Sequence, residues 1–288
     1  MKHTFFAAFL LFASQLIAQP LRLHIGGGFA NYNGDLQARA FTLNQAQGVV
    51  SAGATFNITP KLTIRSDYSF ARLGADDKQN SKLFNRNLNF KTIVTELSLV
   101  GEYDIFDLSE RTWSPYVFAG VGLFKFSPYT MDQANQKVFL HGVGTEGQGL
   151  AQYPDREVYK KTQLNLPVGG GVKYAISPDI YIAAELGFRK LFTDYLDDVS
   201  STYADENILL AGRGQQAVDL AFRGDEVKTN SNTTPQSYPA AGTQRGNPKY
   251  KDSYYFGQVR MSFRMNWFDN GAGSGRGRKS KYGCPSVL

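Results

Sequence analysis

Cysteine is nearly missing from this chain. The 288 residues hold one, Cys284, so no disulfide can form within it. Histidine is almost as scarce, with His24 and His141 the two outside the N-terminal segment, which leaves little for a zinc site or a histidine-based catalytic group. Long apolar runs are lacking as well. No interior stretch approaches the roughly 20 consecutive apolar residues of a membrane helix, so helical spanning is excluded. Nor does one sign of charge dominate: 31 Lys and Arg face 25 Asp and Glu, a net +6.

What is present begins with a leader. Met1 to Ala18 has a basic start at Lys2, a short apolar stretch from Phe5, and Leu16-Ile17-Ala18 before Gln19, the layout of a secretory signal peptide. The residue directly after Ala18 is Gln19 and not cysteine, so a lipid-anchored lipoprotein is not indicated. Export removes nucleic acid as a partner. The cations Arg276, Arg278, Lys279 and Lys281 crowd the C-terminal segment, and lipid headgroups or an acidic protein surface suit them better. Aromatics reach 14%, with 16 Tyr and 21 Phe. The interfacial girdles of a membrane barrel need such a supply, although a secreted β-sandwich is aromatic too.

Period two then recurs in eight places. The last shows it best: Tyr255, Val259, Met261, Phe263, Met265 and Trp267 share one face, and Gln258, Arg260, Ser262, Arg264 and Asn266 the other. Earlier segments run at about 21–30, 48–58, 62–71, 91–105, 116–126, 163–174 and 180–189. In the fifth, Val117, Ala119, Val121 and Leu123 are expected to face the interior, opposite Tyr116, Phe118, Phe124 and Phe126. Connectors separate sandwich from barrel. Thr59-Pro60-Lys61, the link 106–114 and Ala175 to Asp179 are short, whereas the links at about 35–47, 72–90, 127–162 and 190–252 are long. Strict alternation of short and long places every long loop on one side and both termini on the other, as in an up-and-down closed sheet. The prediction is all-β: an eight-stranded antiparallel transmembrane β-barrel over 19–268 in the outer membrane, with a signal peptide at 1–18 and a basic periplasmic tail at 269–288.

Eight strands enclose a space that side chains just fill. The inward set Arg22, Arg65, Asp67, Glu96, Glu102, Lys173, Glu185, Arg189, Arg260 and Arg264 reads as a salt-bridge network that plugs the lumen, in preference to an ion path. Glu96 and Glu102 on one strand stand about 20 Å apart, too far for a glycosidase pair. His24 lies near one rim and His141 in a long loop, so a lipid-modifying enzyme is not expected, and no cofactor or metal site is called. Gly144 to Gly149 (GTEGQG) lacks the ending of a phosphate loop and reads as a flexible or protein-contacting loop. The acidic run Asp194, Asp197, Asp198, Asp205 and Glu206 lacks the order of a calcium loop and reads as solvated. The stretch 229–246 reads as a flexible tip, and Gly26–Gly28 and Gly169–Gly171 as points of sheet curvature. A lone thiol in an oxidising space invites an intermolecular bond, which makes Cys284 a candidate tether to a periplasmic partner.

Several segments carry a resemblance: Asn31-Tyr32-Asn33-Gly34-Asp35-Leu36, Arg86 to Phe90, Ser114-Pro115-Tyr116 through Gly122, Gly144 to Gly149, Thr193 to Val199, and Gly283-Cys284-Pro285. With them the chain resembles the outer-membrane barrel family that includes the barrel subunit of the type IX protein secretion system. The similarity covers most of the mature chain and is thinnest from about Asn207 to Asn247. It implies a non-enzymatic subunit associated with the periplasmic ring proteins of a secretion and gliding apparatus, with Cys284 and the basic tail as contacts. The alternative is a free-standing structural or adhesive barrel with ligand-recognising loops.

Overall fold

The computed structural model describes residues 21–37, 39, 42–227 and 236–265. The leader and the tail, with Arg276, Arg278, Lys279, Lys281 and Cys284, lie outside them, as do Asn266 and Trp267. Ten strands form: β1 (Leu21–Asn33), β2 (Gln47–Asn57), β3 (Leu62–Asp76), β4 (Asn89–Asp104), β5 (Trp113–Lys125), β6 (Tyr129–Met131), β7 (Lys137–Phe139), β8 (Thr162–Ala175), β9 (Ile180–Leu191) and β10 (Ser253–Arg264). Strands β6 and β7 make a small hairpin in a long loop. The other eight close antiparallel in the order β1-β2-β3-β4-β5-β8-β9-β10, with β10 returning to β1 and Arg22 opposite Arg264. Closure satisfies every strand edge, which lipid demands of a sheet. Short turns after β2, β4 and β8 define one rim, where the barrel also begins and ends; the long loops gather at the other.

The alternation sorts apolar from ionic. Ile25, Val50, Tyr68, Leu97, Leu99, Leu164, Val168 and Val259 are exposed on the outer wall, while Arg65, Glu96, Glu102 and Arg260 are buried in the lumen. Tyr103, Trp113, Tyr174 and Phe263 stand exposed on the outer wall toward the turn rim, where an aromatic girdle belongs.

Strand β5 reverses the parity expected from its sequence. Val117, Val121 and Leu123 are exposed, and Tyr116, Phe118 and Phe124 are buried inward. The physical reason lies on the facing strands. Phe118 pairs with Gly169, which pairs with Gly187, and a Cβ on those glycines would meet Phe118 Cζ at 2.7 and 2.9 Å. Two missing side chains leave the space in which an aromatic ring lies down inside the barrel, so Gly169 makes room as well as easing curvature. Tyr255 also departs from the lipid-facing set: it is buried beneath the first long loop, with Asn31 Nδ2 donating to its hydroxyl at 3.1 Å.

Candidate functional site

Inside the barrel, Arg65 is the hub. Its Nε lies 2.7 Å from Asp67, and its Nη1 lies 2.6 Å from Glu102 and 2.7 Å from Glu185. Glu102 is shared further with Lys173 at 2.7 Å and Arg260 at 3.0 Å. Lys173 reaches Asp104 at 3.0 Å, Tyr116 donates to Glu185 at 2.6 Å, and His24 Nε2 meets Asp67 at 2.6 Å. A second cluster lies toward the loop rim, where Glu96 takes Tyr254 and Asn165 at 2.6 and 2.7 Å with Arg189 at 3.4 Å. Desolvation makes isolated charges here costly; shared partners offset that cost. Phe118 beneath the Arg65 guanidinium, 4.9 Å from the ring centre, adds a cation–π contact.

Two residues change the expected inward set. Asp104 belongs to it. Arg264 does not: it has the inward parity, yet it stands at the turn rim with its side chain 35% exposed, 3.8 Å from an exposed Asp179. Arg22 is buried near that rim but pairs with no carboxylate, donating instead to Pro178 O, Asp179 O and Tyr181 Oη. The wall turns from the rim into the lumen between Arg264 and Arg260.

The long loops build a folded cap, which the sequence did not announce. Helices α1 (Leu140–Val143), α2 (Glu206–Arg213) and α3 (Gln215–Ala221) lie in it, α2 capped by Asp205. Tyr32, Leu36, Phe90, Phe126, Leu140, Leu196 and Leu220 continue the core upward from the barrel. Segments from separate loops converge there. Glu146 of the glycine-rich segment accepts from Arg245 Nη1 at 2.8 Å, from the amides of Ser200 and Ser201, and from Ser201 Oγ at 2.6 Å. Gly144, Gly147 and Gly149 have φ of +70, +76 and +75°, the left-handed region that glycine occupies without strain, so GTEGQG is a fixed turn and not a flexible one. Arg86 joins Asp77 through two donors and reaches the carbonyls of Asp35 and Arg245.

The first three acids of the acidic run are likewise not solvated, since Asp194, Asp197 and Asp198 are buried, whereas Asp205 is half-buried and Glu206 exposed. Asp198 accepts from Thr145 Oγ1 and Tyr159 Oη, and Ser200 Oγ donates to Asp194. Tyr32 Oη sits 2.6 Å from Asp197 and 2.9 Å from Asp252. One phenol carries one proton, so a second proton must sit on a carboxyl of that pair. Burial pushes both acids well above the carboxylate range, helped by the charge of Asp35 at Asp197 and by the charges of Asp197 and Asp194 at Asp252. Burial also raises Asp194 to about 7 and Asp198 to about 6. Within the stretch 229–246, Arg245 is buried and anchors the cap. No group of His, Cys, Asp and Glu among the described residues has the arrangement to hold a metal ion. His141 Nε2 meets Tyr159 O in the cap, whereas His24 is in the lumen, so they share no site.

No curated protein matches the chain in sequence. Among solved structures, Neisserial surface protein A is similar at 12% identity and a TM-score of 0.40, covering 85% of this chain and 97% of that one. The attachment invasion locus protein Ail of Yersinia pestis is similar at 9% and 0.41, covering 86% and 99%. A major outer membrane protein of Thermus thermophilus is similar at 14% and 0.41, covering 86% and 100%. The family model for the outer membrane protein beta-barrel domain matches residues 4–212. With its closed eight-stranded wall, this chain belongs to that outer membrane β-barrel family, and it resides in the outer membrane.

Proposed function

We propose that this protein is a non-conducting, non-enzymatic scaffold of the outer membrane, the barrel subunit of a type IX secretion and gliding apparatus that docks a periplasmic ring. One observation carries the scaffold reading: the Arg65–Glu102–Glu185–Arg260 network occupies the lumen at mid-depth, where a porin keeps water. A barrel so filled acts through the surfaces it presents. The resemblance of the Asn31–Leu36, Arg86–Phe90, Gly144–Gly149 and Thr193–Val199 segments supports the apparatus. These four segments meet in the cap through Tyr32–Asp197, Arg86–Asp35 and Thr145–Asp198, so they act as one folded unit. In this reading Arg276, Arg278, Lys279, Lys281 and Cys284 supply the periplasmic contact, with Cys284 able to form a mixed disulfide.

Pull-down from crosslinked membranes, with and without residues 270–288, tests it. Recovery of ring proteins by the full chain and their loss on truncation is the expected result; absence of ring proteins from both overturns it. A Cys284→Ser variant should remove any higher-mass adduct on non-reducing gels. A second reading, a free-standing barrel with recognition loops, draws on the ordered cap. It predicts no ring proteins and a phenotype confined to cap variants.

A further inference from the structure

The periplasmic end of the lumen opens into a cavity of about 730 Å³, within the range of small-molecule and short-peptide sites. Its two sides differ in charge. On the β10–β1 side stand Arg260, Arg264 and Arg22. Across the barrel, four strands away, the end of β4 and its turn contribute Asp104, Asp107 and Glu110, with Lys173 3.0 Å from Asp104 and Arg111 in the same turn.

The basic side is under-neutralised in three independent ways. Arg22 lies directly opposite Arg264 in the β1–β10 register, a like-charge pair whose nearest carboxylate is the exposed Asp179, 3.8 Å from Arg264. Arg260 is 3% exposed, and among the described residues its Nε and Nη1 have no hydrogen-bond partner; Arg22 Nε, on a residue 5% exposed, has none among them either. Finally, the carboxylate nearest Arg260, Glu102, is already claimed by Arg65 and Lys173. Buried guanidinium donors without partners are costly, and a carboxylate or phosphate oxygen is what they bind best.

We propose that this periplasmic cavity is an oxyanion site, seated on Arg260 with Arg22 and Arg264 at its lip, that takes the carboxylate of an acidic peptide segment. The far side favours a peptide over a bare ion, because Asp104 Oδ1 is buried without a partner and can accept from a backbone N–H. A peptide offers both an acidic side chain and amide donors, and the two sides of the cavity ask for one each. Inorganic phosphate shares the anion chemistry but leaves Asp104 unanswered. This site stands apart from the docking reading, since its test uses the purified protein without partners and its failure leaves the pull-down result untouched.

The experiment is calorimetric titration of the full-length protein in micelles at low salt. Its probes are an acetylated, amidated Asp-Glu dipeptide, the matching Asn-Gln dipeptide, and inorganic phosphate. The expected result is saturable one-site binding of the acidic dipeptide, none of the neutral one, and affinity weakened roughly tenfold or more by Arg260→Gln. Arg264→Gln should weaken binding too; because Arg264 is exposed at the rim, this variant tests the site without disturbing the plug, and an unshifted band on unboiled gels checks its fold. Phosphate binding alone, lost in both arginine variants, keeps the oxyanion site and assigns its occupant to the free ion. No saturable binding of either anion, or affinities unchanged in both variants, overturns the proposal.

Discussion

In the lumen Arg22, Arg65, Lys173, Arg189 and Arg260 are matched in number by Asp67, Glu96, Glu102, Asp104 and Glu185. In the cap Asp77, Glu146, Asp194, Asp197, Asp198 and Asp252 are buried around Arg86 and Arg245, and the carboxylates are in excess. The two regions therefore hold buried acid by different means. A lumen walled by lipid pairs its carboxylates with cations that several of them share. The cap, built of loops, uses hydroxyl and amide donors and retained protons. The lumen should accordingly respond most to loss of a cation, and the cap to pH.

The sharpest way to break this contrast is Arg65→Met, which strands Asp67, Glu102 and Glu185 together. A loss of about 3–5 kcal/mol is expected in urea unfolding from lipid micelles, because an uncompensated buried charge costs more than its pair contributed. A loss below about 1 kcal/mol would mean that the network is not what holds the lumen. Next comes the wall itself. Val121→Arg places a charge on the lipid face of β5 and should cost about 2–4 kcal/mol. If Val121 instead faced the lumen, the new arginine would have carboxylates to meet and the cost would shrink, so the same assay checks the reversed parity.

Arg245→Gln addresses the cap alone. Removing the cation from Glu146, which stays buried, should open the cap locally by on the order of 2–3 kcal/mol. Hydrogen exchange should quicken at the amides of Ser200 and Ser201 while those of β4 and β9 stay protected. Exchange spreading into the barrel strands would show that cap and wall unfold as one unit.

The pH response is smaller and its sign is set by the raised acids. Asp194, at about 7 in the fold against 3.8 as its ordinary value, faces Ser200, Asp35, Lys251 and Glu146; Asp198 is raised to about 6. Between those limits the folded cap holds more protons than the unfolded loops. Its stability is thus greatest below about pH 4 and falls as pH rises toward 7. Protection of cap amides should drop between pH 5 and pH 7.5, and Asp194→Asn should flatten that slope. Protection that rises with pH would mean that Asp194 and Asp198 are ionised in the fold.

Much of the wall was legible in the sequence, since Arg65 against Ile64, or Glu102 against Tyr103, leaves one assignment when lipid lies on one side. The alternating connectors fixed closure and the shared rim of the start of β1 and the end of β10. Strand β5 was not legible, because from Tyr116 to Phe124 its residues are aromatic, apolar or small on both faces and the deciding glycines, Gly169 and Gly187, sit on other strands. The cap was hidden for a related reason. Asp194, Asp197 and Asp198 read as surface when taken alone. Only the meeting of Tyr32, Thr145, Tyr159, Ser200 and Asp252 from separate segments buries them. Asp104 and Arg264 show that parity names a face but not a depth.

That last point carries the smallest effect. Arg264 and Arg260 share a strand face four residues apart, yet Arg260 is enclosed and Arg264 reaches only an exposed Asp179 across 3.8 Å. An exposed pair at that distance contributes little, so Arg264→Gln should change stability by less than about 0.5 kcal/mol, against several for Arg65→Met. The order follows from depth: the same substitution chemistry moves from an ion that water already solvates to one that only protein can. A cost for Arg264→Gln comparable to that of Arg65→Met in the same urea titration would extend the plug to the rim and erase the boundary between mouth and lumen. A near-zero cost makes Arg264 a position where the chemistry of the periplasmic mouth can be altered while the fold is left alone.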